Sequence, residues 1–351
     1  RSAIEVWVQA VSYSSFYSQL ASLSPEVLVE ILFSFSSFRI KVESFNKQLS
    51  LQEKINKIEQ LTSGPVNFGG QINLKDGCDV TYCLLEYYER VNNQSAETPS
   101  QIYFGKWICD SQRDVLKKYN LSSRKFIGNT SMDPTLSMIM ANMAHVREGS
   151  LVYDPFVGTG SLLVSCAHFG GHVMGSDIDY NIITGVGKSS RAGQKYRCRE
   201  ESIRNNLKQY GLEARYIDAF IADASLHDKL WKFSKKGLFD AIITDPPYGI
   251  REPTTKLGFK KEPIDDMKPE IEENHIPCKK NYNLNEILCD LLCFAAKYLV
   301  EGGRLVYWMP IYRNDYSDLN IPQHERLRLV SNCEQVLNNR VSRRMITMQK
   351  I

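Results

Sequence analysis

The sequence of 351 residues contains no Cys-x-x-Cys pair. Its nine cysteines, Cys78, Cys83, Cys109, Cys166, Cys198, Cys278, Cys289, Cys293 and Cys333, are scattered and odd in number. That pattern speaks against a zinc cluster and a disulfide framework, and for reduced thiols in a reducing compartment. No run of about 20 apolar residues and no leader-like segment is present, so neither a membrane span nor secretion is expected. A cytoplasmic place is expected instead. Neither sign of charge dominates: 43 Lys and Arg stand against 40 Asp and Glu, for a net +3. This permits a nucleic-acid partner without demanding one. Repeats and low-complexity segments are also absent. The apolar content of 43% and charged content of 24% are those of an ordinary globular chain, and the length predicts roughly two domains. The chain begins at Arg1 and not at Met, as a piece of a longer protein would.

Residues 1–119 alternate strand and helix patterns. Ile4, Val6 and Val8 alternate as in a half-buried strand, and Phe38, Ile40 and Val42 do so again. Ser24-Pro25 starts a helix through Val27, Leu28 and Ile31. Ser50 and Glu53 form a capping box ahead of Ile55, Ile58 and Leu61. Further strands are expected over 72–74, 80–85 and 102–108, with Asp110 capping a helix through Leu116. This α/β module carries no catalytic constellation. A polar linker at 120–125 joins it to a second α/β unit, 126–351.

The second unit opens with a helix expected over 131–145. Leu151-Val152-Tyr153-Asp154 then reads as a strand, and Pro155-Phe156-Val157-Gly158-Thr159-Gly160 as a turn entering a helix. Gly158 and Gly160 allow positive φ and close approach of a ligand to the backbone. The dinucleotide fingerprint is not met, because its third glycine would stand where Leu163 does. A short glycine turn with Asp154 at the strand end suits S-adenosylmethionine, which has no pyrophosphate but does have an α-amino group for a carboxylate. The next strand, 173–176, ends in Asp177-Ile178-Asp179. An acid about 20 residues past the glycine loop is where a ribose diol is held in nucleoside-binding folds. Asp177 is the first choice and Asp179 the second, with an N-cap role open for Asp179. A third strand over 217–221 closes on Asp223-Ala224, placed to meet the adenine amine.

The apolar run through Ala241, Ile242 and Ile243 delivers Thr244-Asp245-Pro246-Pro247-Tyr248 at a strand end, where open α/β sheets hold ligands. The chemistry this implies is methylation of an exocyclic nucleobase amine. Such a nitrogen is a poor nucleophile, its lone pair being delocalised into the ring. Two acceptors must take both N–H bonds and turn the lone pair out of the plane. Asp245 is one. The Pro246 carbonyl is the other, since Pro246 and Pro247 fix φ and remove competing N–H donors. Tyr248 offers a face for an unpaired base. No metal is needed, the leaving group being already a sulfonium.

Helices are expected to follow Asp179 through Leu207, carrying Lys188, Arg191, Lys195, Arg197 and Arg199 on a solvated face. Residues 251–280 are charged, with little apolar surface to offset the entropy of ordering, and weak order without RNA is expected there. A helix over 282–300 places Cys289 and Cys293 as small core residues, and Gly302-Gly303 ends it. Strands are expected at 305–309, 327–330 and 345–348, the last preceded by Arg340, Arg343 and Arg344.

Residues 126–351 resemble the catalytic domain of the THUMP-containing tRNA guanine N2-methyltransferases. The resemblance is carried by Gly128-Asn129-Thr130-Ser131-Met132-Asp133, by Asp154-Pro155-Phe156-Val157-Gly158-Thr159-Gly160, by Gly175-Ser176-Asp177-Ile178-Asp179, by Asp245-Pro246-Pro247-Tyr248-Gly249-Ile250-Arg251 and by Gly302-Gly303-Arg304-Leu305-Val306-Tyr307-Trp308. It implies a doubly wound class I (Rossmann-like) S-adenosylmethionine-dependent methyltransferase, preceded by a partial THUMP-type α/β RNA-binding module. It implies guanine at tRNA position 10 as target, S-adenosyl-L-methionine as cofactor, and a small zinc-binding activator as partner. Residues 216–222, largely apolar and at a sheet edge in such a fold, are the expected seat of that activator. Read without the resemblance, the residues leave guanine and adenine, and RNA and DNA, undistinguished. The rivals are a DNA adenine N6-methyltransferase, which would carry a target-recognition domain instead of an RNA-binding module, and a tRNA-binding protein with an inactive fold.

Overall fold

The computed structural model describes residues 2–32, 37–73, 77–91, 94–110, 113–232, 235–249, 254–258 and 278–351. The chain divides into two compact units, Arg1–Arg113 and Asp114–Ile351.

The first unit runs β1 (Ser2–Ala10), α1 (Tyr13–Ala21), α2 (Pro25–Leu32), β2 (Ser37–Phe45), α3 (Leu51–Thr62), β3 (Gln71–Ile72), β4 (Val80–Tyr87), β5 (Arg90–Val91), β6 (Gln94–Ser95) and β7 (Gln101–Asp110). Five strands form one sheet in the order β1-β7-β4-β2-β3. The helices cover it through Phe16, Leu20, Ile31 and Leu61, packed on Phe38, Tyr82 and Phe104. Strand β2 shows the expected alternation. In β1 it fails: register shifts after Ala3 and Val6 turn Val6 outward, 48% exposed, while Val8 and Ala10 enter the core. A bulge moves later side chains to the other face, which the apolar pattern alone does not reveal. Helix α1 has polar residues through much of its length and was not expected. The capping box is formed, Ser50 accepting from Glu53 N and Glu53 from Ser50 N. Fully buried Glu86 is satisfied by Lys57 Nζ at 2.7 Å, Tyr88 Oη at 2.9 Å and the Tyr13 hydroxyl. A buried charge persists only when paired in this way, and the cluster ties α1 and α3 to the sheet. Of the strand expected at 72–74, residue 74 lies outside the described residues.

The second unit runs α4 (Arg113–Lys118), α5 (Pro134–Met143), β8 (Leu151–Asp154), α6 (Ser161–His168), β9 (His172–Asp177), α7 (Tyr180–Thr184), α8 (Ile203–Gln209), β10 (Tyr216–Ile221), α9 (His227–Leu230), β11 (Phe239–Thr244), β12 (Thr255–Gly258), β13 (Cys278–Asn281), α10 (Leu284–Tyr298), β14 (Leu299–Tyr312), β15 (Leu327–Val336) and β16 (Val341–Lys350). The large sheet has the order β10-β9-β8-β11-β14-β16-β15. Its first five strands are parallel, and β16 is antiparallel to both neighbours. Strand order reverses between β8 and β11, which makes their carboxyl ends the switch point where such sheets bind ligands. One face packs on α5, α6 and α8 through Met140, Leu163, Val152, Ile243 and Trp308. The other packs on α10 through Leu288, Leu292, Tyr153, Ile242 and Tyr307.

Several expectations are corrected. Helix α5 starts at Pro134, because Asp133 caps it by accepting from Thr135 N and Leu136 N. The stretch 185–201 is not helical. Arg191 donates to the carbonyls of Arg124 and Lys125, and Arg197 to those of Asn181 and Val186 with its guanidinium over Phe126. Arg191 and Arg197 are thus half-buried and engaged with backbone carbonyls, whereas Lys188, Lys195 and Arg199 are exposed, as on the expected solvated face. Cys289 and Cys293 are exposed. The buried stripe of α10 is Ile287, Leu288, Leu291, Leu292 and Ala295, which leaves 289 and 293 on its far side. Helix α10 ends at Tyr298, and β14 already begins at Leu299 and runs through the Gly302-Gly303 pair. Residues 255–258 and 278–281 pair as antiparallel strands. The rest of the expected weakly ordered stretch, 251–253 and 259–277, lies outside the described residues, as does Ile250. Arg343 and Arg344 lie within β16, not ahead of it. Arg124, at the end of the expected linker, is fully buried against Ser161, Tyr210 and the Tyr119 carbonyl.

Candidate active site

The glycine turn is built from three backbone ties. Val157 N donates to Ser176 O at 2.9 Å, Gly160 N to Val157 O at 2.9 Å, and Gly158 N to Asp177 Oδ2 at 3.0 Å. Gly158 and Gly160 have φ of 49° and 79°, a left-handed conformation that glycine adopts without steric cost. A Cβ on Gly160 would stand 2.8 Å from Ile203 Cγ2, whereas one on Gly158 would meet nothing within 4 Å. The turn is therefore packed on its α8 side and open at Gly158, leaving room for a ligand against the backbone. Phe156 beside it is half-buried.

Asp154 is only 1% exposed. Its Oδ1 accepts from Phe156 N at 3.0 Å and from Thr244 Oγ1 at 2.7 Å. The Thr244 bond joins the two motifs across 90 residues of sequence, since β8 and β11 are neighbours. Burial pushes the Asp154 carboxyl up from 3.8 to about 7, and the charges of Asp177 and Asp245 push the same way. Asp154 thus holds the turn and Thr244. Because its folded value is raised, the neutral acid favours the fold at low pH, and that contribution is lost as pH rises from about 4 to about 7. Asp154→Asn keeps the acceptor but cannot ionise. Its stability relative to wild type is expected to rise across that window and level off above it, by thermal unfolding of ligand-free protein. A difference independent of pH would contradict the assignment.

Asp177, at the end of β9, has Oδ1 on Asp179 N at 2.9 Å as well as Oδ2 on Gly158 N. It is thus held at the mouth of the turn. Asp179 is the N-cap of α7, accepting from Asn181 N. Asp223 accepts from Ser225 N at 2.8 Å and from Leu257 N at 2.5 Å. It caps the short helix that begins at buried Ala224 and anchors the β12–β13 pair, which sequence patterning did not reveal. The expected ligand-end residues of β8, β9 and β10 are therefore on one side of the sheet's switch point, and Asp245 follows at the end of β11.

Pro246 is buried, and Pro247 and Tyr248 are half-buried. The Tyr248 hydroxyl donates to Asp245 Oδ1. Burial and the Asp245 charge hold that hydroxyl well above the usual phenol range. Arg343 Nη1 donates to Asp245 Oδ2 at 3.3 Å. Sequence patterning missed this arginine. The signal was the strand alternation: extended two residues back, β16 sets Arg343 on the face of Met345, which packs with Trp308. Asp177 and Asp245, the two acids whose charges raise Asp154, give the site negative potential, which suits a cationic ligand.

The seven-stranded doubly wound sheet with one reversed strand, the glycine turn and Asp-Pro-Pro-Tyr at its switch point define a class I, Rossmann-like methyltransferase. The RMKL-like methyltransferase domain model matches residues 122–274, and the Tmrp11 THUMP N-terminal domain model matches residues 1–113. Over the whole chain it is 48% identical to human "tRNA (guanine(10)-N(2))-methyltransferase TRMT11", covering 75% of that protein. It is 35% identical to the Dictyostelium discoideum protein of the same name, covering 100% of this chain and 68% of that one. A solved structure, TrmN from Thermus thermophilus, matches at 17% identity with a TM-score of 0.41, covering 99% of this chain and 82% of that one. The chain belongs to the tRNA (guanine(10)-N(2))-methyltransferase family. Among the described residues no helix is long and apolar enough to cross a membrane.

Proposed function

We propose that the protein methylates the exocyclic N2 of guanine at position 10 of tRNA, using S-adenosylmethionine, in the cytoplasm. The observation that carries this is the Thr244–Asp154 bond, which sets the Asp-Pro-Pro-Tyr end of β11 beside the glycine turn after β8. The residues fit the cofactor: room lies against Gly158, and Asp177 and Asp245 stand close enough to Asp154 for their charges to act on it. Gly158 and Gly160 with Asp154 behind them would seat its methionine part beside Phe156, Asp177 its ribose, and Asp223-Ala224 its adenine. When bound, S-adenosylmethionine supplies an electrophilic methyl group on a sulfonium. Asp245 and the Pro246 carbonyl take the two N–H bonds of the amine and free its lone pair from the ring. Asp245 Oδ1 then accepts the proton that the nitrogen sheds. For this the Tyr248 hydroxyl must leave Oδ1, and the freed ring, set by Pro247, stacks on the base. Residues 1–113 serve as the RNA-binding module and 114–351, which take in the expected linker 120–125, as the catalytic domain. A THUMP match over residues 1–113 favours RNA over the DNA adenine reading. Radiolabelled methyl transfer to unmodified tRNA, followed by nucleoside mass analysis, tests the proposal. Label in adenine, or none, would refute it.

The partner is a small zinc-binding activator that adds a strand along 216–222. Strand β10 is the sheet edge, and Ile217 and Ile221 on it are 47% and 49% exposed. An apolar edge with open N–H and C=O groups invites strand addition. The activator brings its own zinc, held in its own ligand cluster. Aspartate or proline at Ile217 or Phe220 is expected to release the partner and lower solubility. Co-purification of those variants at wild-type stoichiometry would place the contact elsewhere.

A further inference from the structure

Asp245 is the acceptor for the amine in the proposed methyl transfer, and its neighbours gain a meaning only if that function holds. Its carboxylate meets the Tyr248 hydroxyl at Oδ1 and Arg343 at Oδ2. Both neighbours meet on this one carboxylate, so the three groups converge. Arg343 is firmly held. Its Nε donates to Gln335 Oε1 at 2.7 Å, its guanidinium lies 4.2 Å over the Trp308 ring, and its side chain is 15% exposed. A stacked guanidinium presents its N–H donors in fixed directions, as a lysine cannot.

When Tyr248 turns to stack on a base, its hydroxyl leaves Asp245 Oδ1. That acceptor is then uncovered beside the guanidinium that holds Oδ2. Exocyclic amines differ in what stands next to them along the same edge. Beside guanine N2 comes N1–H, a donor, and then O6, an acceptor. Beside adenine N6 comes N1, an acceptor, and then a C–H. A carboxylate flanked by a guanidinium complements the first edge. Asp245 takes N2–H and N1–H, and Arg343 donates to O6. Adenine would set its N1 lone pair against the carboxylate and leave the arginine unanswered. We propose that Arg343 is a specificity residue that reads guanine O6 and confines the site to guanine. Sites that hydrogen-bond a substrate reject analogues lacking the group, because their own polar atoms are left unpaired.

The test uses the full chain co-expressed with the activator, and two RNAs. One carries guanine at the target position. The other carries 2-aminopurine, which keeps the 2-amine but lacks N1–H and O6. Wild type is expected to prefer guanine strongly in kcat/KM. In Arg343→Met that preference should shrink by about tenfold or more, the worth of a charged hydrogen bond, with affinity for S-adenosylmethionine unchanged. An equal fall on both RNAs would mean that Arg343 only positions Asp245, and would overturn the inference. Arg343→Lys keeps the cation without the fork and serves if the Met variant does not fold. Its preference must also shrink, and an unchanged one overturns the assignment. Wild type inert on both RNAs refutes the proposed function itself, and this inference with it.

Discussion

Asp245→Ala is expected to lower turnover by about two orders of magnitude or more while affinity for S-adenosylmethionine stays near normal. The amine becomes nucleophilic only as its N–H bonds are held and its lone pair leaves the ring, so the carboxylate acts mainly in the transition state. The structure gives the loss a further cause. Arg343 and the Tyr248 hydroxyl both rest on this carboxylate, and alanine would leave a held guanidinium without its anion. Single-turnover methyl transfer with saturating tRNA, alongside calorimetric cofactor binding, measures both quantities. Weakened cofactor binding with unchanged turnover at saturation would move Asp245 out of the catalytic role.

Asp177→Ala is expected to raise the apparent constant for S-adenosylmethionine by roughly ten- to a hundredfold, with a much smaller effect on turnover. A ribose contact is made equally in the ground and transition states, so its loss appears in binding, and hydrogen bonds to a charged group are worth about 1.5–3 kcal/mol each. Asp177 also holds Gly158 N and Asp179 N, so alanine loosens the glycine turn as well. Asp179→Ala is the control. It removes the cap on Asn181 N, which costs about 1 kcal/mol of stability and should leave the cofactor constant near wild type. A reversed pair of results would move the ribose contact to Asp179.

How far each part was legible depends on the range of the interaction behind it. The Ser50–Glu53 box and the positive-φ turn at Gly158 and Gly160 are decided within a few residues, and both stand as read. Asp179 as an N-cap is local too. The face of α10 was legible but misread, for its apolar spacing already excluded Cys289 and Cys293 from the core. The bulges of β1 left no trace in the alternation of Ile4, Val6 and Val8, because register is a property of two paired strands. The stretch 185–201, expected to be helical, is held instead by contacts that no local pattern shows: Arg191 binds the carbonyls of Arg124 and Lys125, brought to it by another part of the fold.

The sequence by itself determined the chemistry: which acceptors, which aromatic face and which flexible turn the chain offers. Those groups are consecutive residues whose backbone is constrained by proline and glycine. Only the tertiary structure decided what stands against them. Thr244 reaches Asp154 because β11 pairs with β8, across 90 residues of chain. Arg343 reaches Asp245 because β16 returns antiparallel to β14, across 98. Such meetings depend on strand order and register, which arise when distant segments bury their apolar faces together and which no local run of residues encodes.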